Sequence, residues 1–206
     1  MKKAVFQTQK IIFALGTVCT LTAYNGESLQ AFDRAKARIL EIDRKVSAAY
    51  PRAVTLMARG YAAEETKRIL KLSGVSEALI VIGETVVNMG TPRRIGLQDP
   101  FGAAGENFSY VDIGEKAIVS AGLYQQGFGE SVNYRRHGGN ALVGLTLIGE
   151  NAVKLSALCN SAVKLSATEA MDLLNDTDVE AIFVSRSQVV TATDGLHKRP
   201  TRRQAA

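Results

Sequence analysis

The segment YRRHGG carries His137, one of two histidines in 206 residues, flanked by Arg135, Arg136 and two glycines. An imidazole titrates near neutral pH, so in a cationic loop it could act as a general base or touch an anion. An exposed loop histidine is the plainer reading. His197 lies in the basic end of the chain and carries less weight. A second candidate is MARGYAAEE, residues 57–65, where Arg59 stands beside Gly60 at the expected opening of a helix. Free backbone N–H groups at such an opening could accept a phosphate. The segment is not a P-loop, because the glycine spacing and the closing Lys-Ser/Thr are missing.

Glu84 in GETVVNMG and Asp99 in LQDPFG fall in turn-rich strand ends, and an aspartate before Pro100 has the form of a turn cap. Neither acid belongs to a recognisable ligand cluster. Cys19 and Cys159 fit neither a Cys-x-x-Cys nor a zinc spacing, so they read as buried free thiols in a reducing compartment.

The elements that must position these groups follow from periodicity. VFQTQKIIFALGTVCTLTAYNG reads as two strands around a turn, with Thr20, Thr22 and Tyr24 interleaved with Leu21 and Ala23. Phe32, Ala35, Ile39, Ile42 and Val46 recur every three or four positions and predict an amphipathic helix over 28–48, stopped at Tyr50-Pro51. A second helix is expected over 58–72, with Gly74 where a C-cap belongs. A hairpin at 78–83 and 86–90 precedes a strand after Pro92 in which Ile95 and Leu97 share a face. Then come a loop at 101–107, strands at 110–113 and 116–122, a polar Gly-rich stretch at 125–140, and a strand at 141–149.

Ala-Val-Lys-Leu-Ser-Ala occurs twice, from Ala152 and from Ala162, and the duplicated segment reads as helix. A helical piece at 167–174 and a hairpin formed by VEAIFV and SQVVTATDG close the pattern. An echo this short is far too small for a solenoid repeat. The order of elements predicts an α+β fold: an antiparallel or mixed sheet covered by helices, in a single domain over 1–196 with a basic, disordered tail over 197–206.

At 46% hydrophobic residues the chain can bury one good core. The absence of Trp and the low aromatic content of 6% argue against a surface for stacking bases. The formal charge of +5 is concentrated at the ends, in Lys2, Lys3, Lys10, Lys198, Arg199, Arg202 and Arg203. That pattern is a solvated terminus rather than a nucleic-acid surface. The apolar run IIFAL is too short, and too soon interrupted by Gly16, for a secretory core or a membrane span. No nucleic acid, no membrane and a cytoplasmic location are therefore expected.

In colinear order FALGTVCTLTAY, ARGYAAEETKRILKLSGVSEALIVIG, IGLQDPF, KAIVSAGLY, LVGLTLIG and VEAIFVSRSQVVTATDGL cover most of the chain, and together they resemble the ApbE-type FAD:protein FMN transferases. The resemblance implies Mg2+-dependent transfer of FMN from FAD to a threonine hydroxyl of an acceptor flavoprotein, with AMP released. The family's Ala-Lys-Gly-Tyr corresponds to Ala58-Arg59-Gly60-Tyr61, with an acid nearby at Glu64. Its preceding Asp-Leu-Gly corresponds to Ala53, Val54 and Thr55, so that acid is gone. Its Gly-Gly becomes Gly83-Glu84, which brings a charge to a place where backbone approaches the nucleotide. Its Ser-Gly becomes Ala121-Gly122, followed by Tyr124. Of its His-x-x-Asp-Pro loop only His137 remains as a candidate.

By this resemblance His137 and Asp99 are the catalytic candidates, and Arg59, Gly60, Tyr61, Glu64, Gly83, Gly122 and Tyr124 the cofactor-binding ones. The family's metal-binding aspartate and threonine fall on Ser156 and Asn160, which lack the hard anionic oxygen that Mg2+ prefers. A family insertion between about 50 and 57 is missing, and with it part of the flavin-binding lobe. Two functions follow. One is a shortened transferase with FAD and Mg2+, drawing missing groups from Glu64, Glu84, Asp99 or a partner subunit. The other is a non-catalytic relative that binds flavin or a partner protein weakly or not at all, with apolar surface that favours a homodimer.

Overall fold

Leu15 and Gly16 join the first two strands with φ of 56° and 62°, the left-handed pair that a two-residue hairpin turn requires. A computed structural model describes residues 7–24, 28–49, 56–103, 105–122 and 142–196. Strands β1 (Thr8–Ala14) and β2 (Thr17–Ala23) lead into helices α1 (Leu29–Ala49) and α2 (Leu56–Leu72). Strands β3 (Ala78–Ile82), β4 (Thr85–Met89), β5 (Arg93–Gln98), β6 (Asn107–Ile113), β7 (Ala117–Gly122) and β8 (Gly144–Gly149) follow. The described chain closes with α3 (Ala152–Ala162), α4 (Ala167–Leu174), β9 (Glu180–Val184) and β10 (Val190–Ala192).

Eight strands form one sheet in the order β1-β2-β3-β4-β7-β8-β9-β10, and every pairing is antiparallel. Strands β5 and β6 form a separate antiparallel pair. The alternation of each strand gives the large sheet two apolar faces. Cys19, Leu21, Ile80, Ile82, Val87, Val119, Leu145 and Phe183 join Phe32, Ile39, Leu70, Leu155 and Cys159 of the helices in the main core. On the opposite face Ile118, Ile148 and Ile182 pack with Leu97, Val111 and Ile113 of the β5–β6 pair and with Leu196. The α+β arrangement expected from the sequence is the one observed.

Several boundaries move, and β8, expected from 141, begins at Gly144. Helix α2 begins at Leu56, two residues before its expected start, and β6 begins at Asn107 inside the expected loop. The duplicated hexapeptide does not stay helical: its first copy opens α3, whereas its second runs off the end of α3 and through a turn into α4. Ser166 there caps α4, taking Glu169 N–H on its side chain while Glu169 bonds back to the Ser166 backbone. Such a reciprocal cap starts a new helix. The short connection between α1 and α2, residues 50–55, and the tail 197–206 lie outside the described residues. Among the described residues no helix is long and apolar enough to cross a membrane.

Candidate functional site

An open cleft of about 470 Å³ lies between β5 and the sheet face turned away from the helices. Val18, Thr20, Val81, Val86, Ile118 and Ser120 line it from the sheet, and Ile95, Leu97, Gln98 and Asn107 line it from the β5–β6 pair. The pair is held over the sheet by Asn88 of β4, which is fully buried. Its Nδ2 donates to the carbonyls of Thr91 at 3.0 Å, Ile113 at 3.3 Å and Gly114 at 2.9 Å, just before β5 and at the end of β6. The Arg93 guanidinium, at the start of β5, lies 3.3 Å from the Tyr24 ring centroid and bonds Glu77 at 3.2 Å.

Thr17, Gly83 and Glu84 also line the cleft. Gly83 opens the β3–β4 turn with φ of +56°. A Cβ there would lie 3.1 Å from both Arg59 Nη1 and Thr17 Oγ1, so a larger residue would push into the guanidinium. Arg59 reaches this point from α2. Its Nε donates to the Leu15 carbonyl at 3.3 Å and its Nη1 to the Glu84 carboxylate. The guanidinium is thus buried, and its charge is matched by Glu84. One side chain thereby ties the β1–β2 turn to the β3–β4 turn.

The other residues of the 57–65 segment stay in the helical layer. Gly60 is the fifth residue of α2 rather than its opening, so its amide belongs to the helical ladder and not to an anion site. Its missing side chain admits α3 instead: a Cβ would lie 2.3 Å from Ser156 Oγ and 2.7 Å from the Ala152 carbonyl oxygen. Ser156 is fully buried and donates to that same carbonyl at 2.7 Å. Glu64 Oε1 accepts the Ala152 N–H at 2.7 Å, and Asn151 Oδ1 accepts the Lys154 N–H at 2.9 Å, so the start of α3 is satisfied twice. Tyr61 is 43% exposed, and its hydroxyl accepts from Arg38 at 2.8 Å.

Asp99 Oδ1 accepts the Phe101 N–H at 2.9 Å, the turn cap that its place before Pro100 implies. It follows Gln98, a lining residue of the cleft. Gly122 ends β7, where a Cβ would lie 2.4 Å from the Val143 carbonyl oxygen. His137 and Tyr124 lie outside the described residues.

The structure therefore brings Arg59 and Gly83 together and leaves Gly60, Tyr61, Glu64 and Ser156 in the helical layer. Asn160 of α3 is half-buried. Ser156 and Asn160 offer a bonded hydroxyl and an amide but no anionic oxygen, and Mg2+ does not fit that donor set. Among the described residues no three His, Cys, Asp or Glu side chains cluster to hold a metal.

Both thiols are fully buried. Burial pushes Cys19 up to about 11, against the opposing charge of Arg59. Burial raises Cys159 further, and the Glu84 charge adds to it.

Asn88, Gln98, Asn107 and Ser120 were not among the residues singled out from sequence, and Thr20 stood out only as an alternating strand position. The period of two would have found several of them: Val18 with Thr20, Val86 with Asn88 and Ile118 with Ser120 occupy outward positions of strands whose alternate residues fill the main core.

No curated protein matches the chain. Among solved structures the fold is similar to the ApbE protein of Thermotoga maritima, with a TM-score of 0.74 at 12% identity over 96% of this chain and 100% of that one. It is similar to the flavin transferase ApbE of Vibrio cholerae, with a TM-score of 0.70 at 11% identity over 95% and 99%. The flavinyl transferase ApbE of Pseudomonas stutzeri gives 0.69 at 12% identity over 96% and 98%. At these identities the likeness establishes the fold. The model of the ApbE family matches residues 53–183, well over half of the sequence, and the chain belongs to that family.

Proposed function

We propose that the protein binds a flavin ring in the cleft beneath β5. The cleft itself carries this reading: its volume of about 470 Å³ falls within the range of small-molecule sites. Its aliphatic walls from Val18, Val81, Val86, Ile95, Leu97 and Ile118 suit the two faces of a flat ring. Thr20, Gln98, Asn107 and Ser120 supply donors and acceptors for a polar edge. Membership of the ApbE family supports a flavin as the ligand, as do two fold relatives described as flavin or flavinyl transferases. The chain's own part is to bind and orient the ring.

A second reading is the full transfer of FMN from FAD to a threonine hydroxyl of an acceptor flavoprotein, with Mg2+. The family match over 53–183 favours it. The donor set weighs against it, since neither Ser156 nor Asn160 carries an anionic oxygen and Glu64 is engaged at the start of α3.

Calorimetric titration with lumiflavin, the bare ring system, tests the first reading once a cooperative thermal transition has been recorded. Saturable binding is expected, and no binding by the folded protein overturns it. Titration with FAD with and without Mg2+, followed by incubation with a threonine-bearing acceptor, tests the second. Metal-dependent FAD binding with covalent labelling of the acceptor would establish transfer.

A further inference from the structure

Glu84 is the sole charged residue lining the cleft among the described residues, and its charge is negative. The cation that an anionic ligand would need stands immediately behind it. Arg59 is 8% exposed, and its guanidinium bonds the Glu84 carboxylate. Two of its donor positions are already used, Nε on the Leu15 carbonyl and Nη1 on the Glu84 carboxylate.

We infer that Glu84 fills the anion position of this cleft, so that the protein accepts flavins without a phosphate, such as riboflavin, and rejects FMN and FAD. The inference rests on the flavin-binding reading and names its ligand class. A phosphate bound at Arg59 would have to displace the Glu84 carboxylate, which the two-residue β3–β4 turn holds against the guanidinium, so the competitor is always present at high effective concentration. Displacement would also set the Glu84 carboxylate beside an incoming anion of the same sign, and like charges at close range in a partly buried site are strongly opposed. The other lining residues are neutral and cannot compensate.

The test is fluorescence-quenching titration of wild type and Glu84→Gln with riboflavin and FMN, alongside thermal melts with and without pyrophosphate. Wild type is expected to bind riboflavin about tenfold or more tighter than FMN, and Glu84→Gln to tighten FMN by a similar factor while riboflavin changes little. Pyrophosphate should raise the Tm of Glu84→Gln, whose guanidinium lacks its anionic partner, and leave wild type unchanged. Equal or tighter binding of FMN by wild type overturns the inference, as does a Glu84→Gln protein whose FMN to riboflavin ratio equals that of wild type.

If neither protein binds any flavin, the flavin reading fails, and the pyrophosphate response alone decides the role of Glu84. A shift confined to Glu84→Gln upholds it, and no shift overturns it. If Glu84→Gln does not fold, the doubly neutral pair Arg59→Gln with Glu84→Gln replaces it. There the FMN penalty should shrink several-fold, and an unchanged penalty overturns the inference.

Discussion

Gly60 and Ser156 meet where α2 crosses α3, and a Cβ on Gly60 would stand 2.3 Å from the Ser156 hydroxyl oxygen and 2.7 Å from the carbonyl oxygen of Ala152. The helices touch here through bare backbone. Gly60→Ala would gain about 1 kcal/mol of helix propensity. Against that gain, overpacking a rigid contact costs about 1–3 kcal/mol. Because one of the opposing atoms is backbone, the clash is expected to win. Urea denaturation should show Gly60→Ala less stable than wild type, and an equal or higher midpoint would refute the close contact.

The same contact governs any attempt to install a metal ligand. Ser156→Asp would place a carboxylate in a fully buried seam where the native hydroxyl already bonds the Ala152 carbonyl at 2.7 Å. An uncompensated buried charge is strongly destabilising. The expected outcome is a lower Tm that Mg2+ does not restore. A Tm that rises with Mg2+ for Ser156→Asp alone would mean that the seam can open to a hydrated ion.

Glu64 closes the start of α3 from outside that helix, its carboxylate accepting the Ala152 N–H at 2.7 Å. A negative group here satisfies an unpaired donor and faces the positive end of the helix dipole. Glu64→Ala should cost about 0.5–2 kcal/mol, the usual penalty for a lost N-cap. Glu64→Gln should cost less, because the amide oxygen can still accept the bond. Chemical denaturation of the three proteins would give this order, and no loss for Glu64→Ala would show that the bond contributes nothing.

The fold was legible because strand alternation and the helical period of Phe32, Ala35, Ile39 and Ile42 are local signals, and those residues are buried as expected. The hexapeptide Ala-Val-Lys-Leu-Ser-Ala marks where local signals stop. Ser156 of the first copy is buried under α2, whereas Ser166 of the second caps a new helix with Glu169, three residues on. What differs is the neighbouring chain, not the hexapeptide. The site was less legible for the same reason. Arg59 and Gly83 stood out as separate candidates, but their meeting depends on two hairpin turns lying side by side. The pairing of Arg59 with Glu84 follows only from that geometry.

Cys19 and Cys159 report on whether the core is closed. Both are fully buried, and burial holds Cys19 at about 11 and Cys159 above the usual thiol range. A thiol must be exposed and ionised to react. At pH about 8 a thiol-disulfide reagent should therefore titrate neither cysteine in the native protein and both in denaturant. Rapid reaction of one thiol without denaturant would show that the main core opens locally.

Acid should weaken the ion pairs that run along the first helix and join it to the second. Arg38 of α1 bonds Glu41 at 2.8 Å and Glu65 of α2 at 2.9 Å, while Lys45 stands 2.7 Å from Glu41 and Arg68 bonds Glu65 at 2.9 Å. Hydrogen bonds from Lys45 and then Arg38 lower the Glu41 carboxyl from 4.5 to about 2, and Arg68 and Arg38 lower Glu65 in the same direction. The folded protein then holds fewer protons than the unfolded chain between these values, so stability falls with falling pH in that window. The contribution is complete above about 4.5 and is lost as the pH drops toward about 2. Because the pairs are partly exposed, the effect is small and salt-sensitive. Urea midpoints across the window should fall less steeply for Glu41→Gln than for wild type, and added salt should narrow the difference. Parallel curves would mean that the carboxylate is as free in the folded protein as in the unfolded chain.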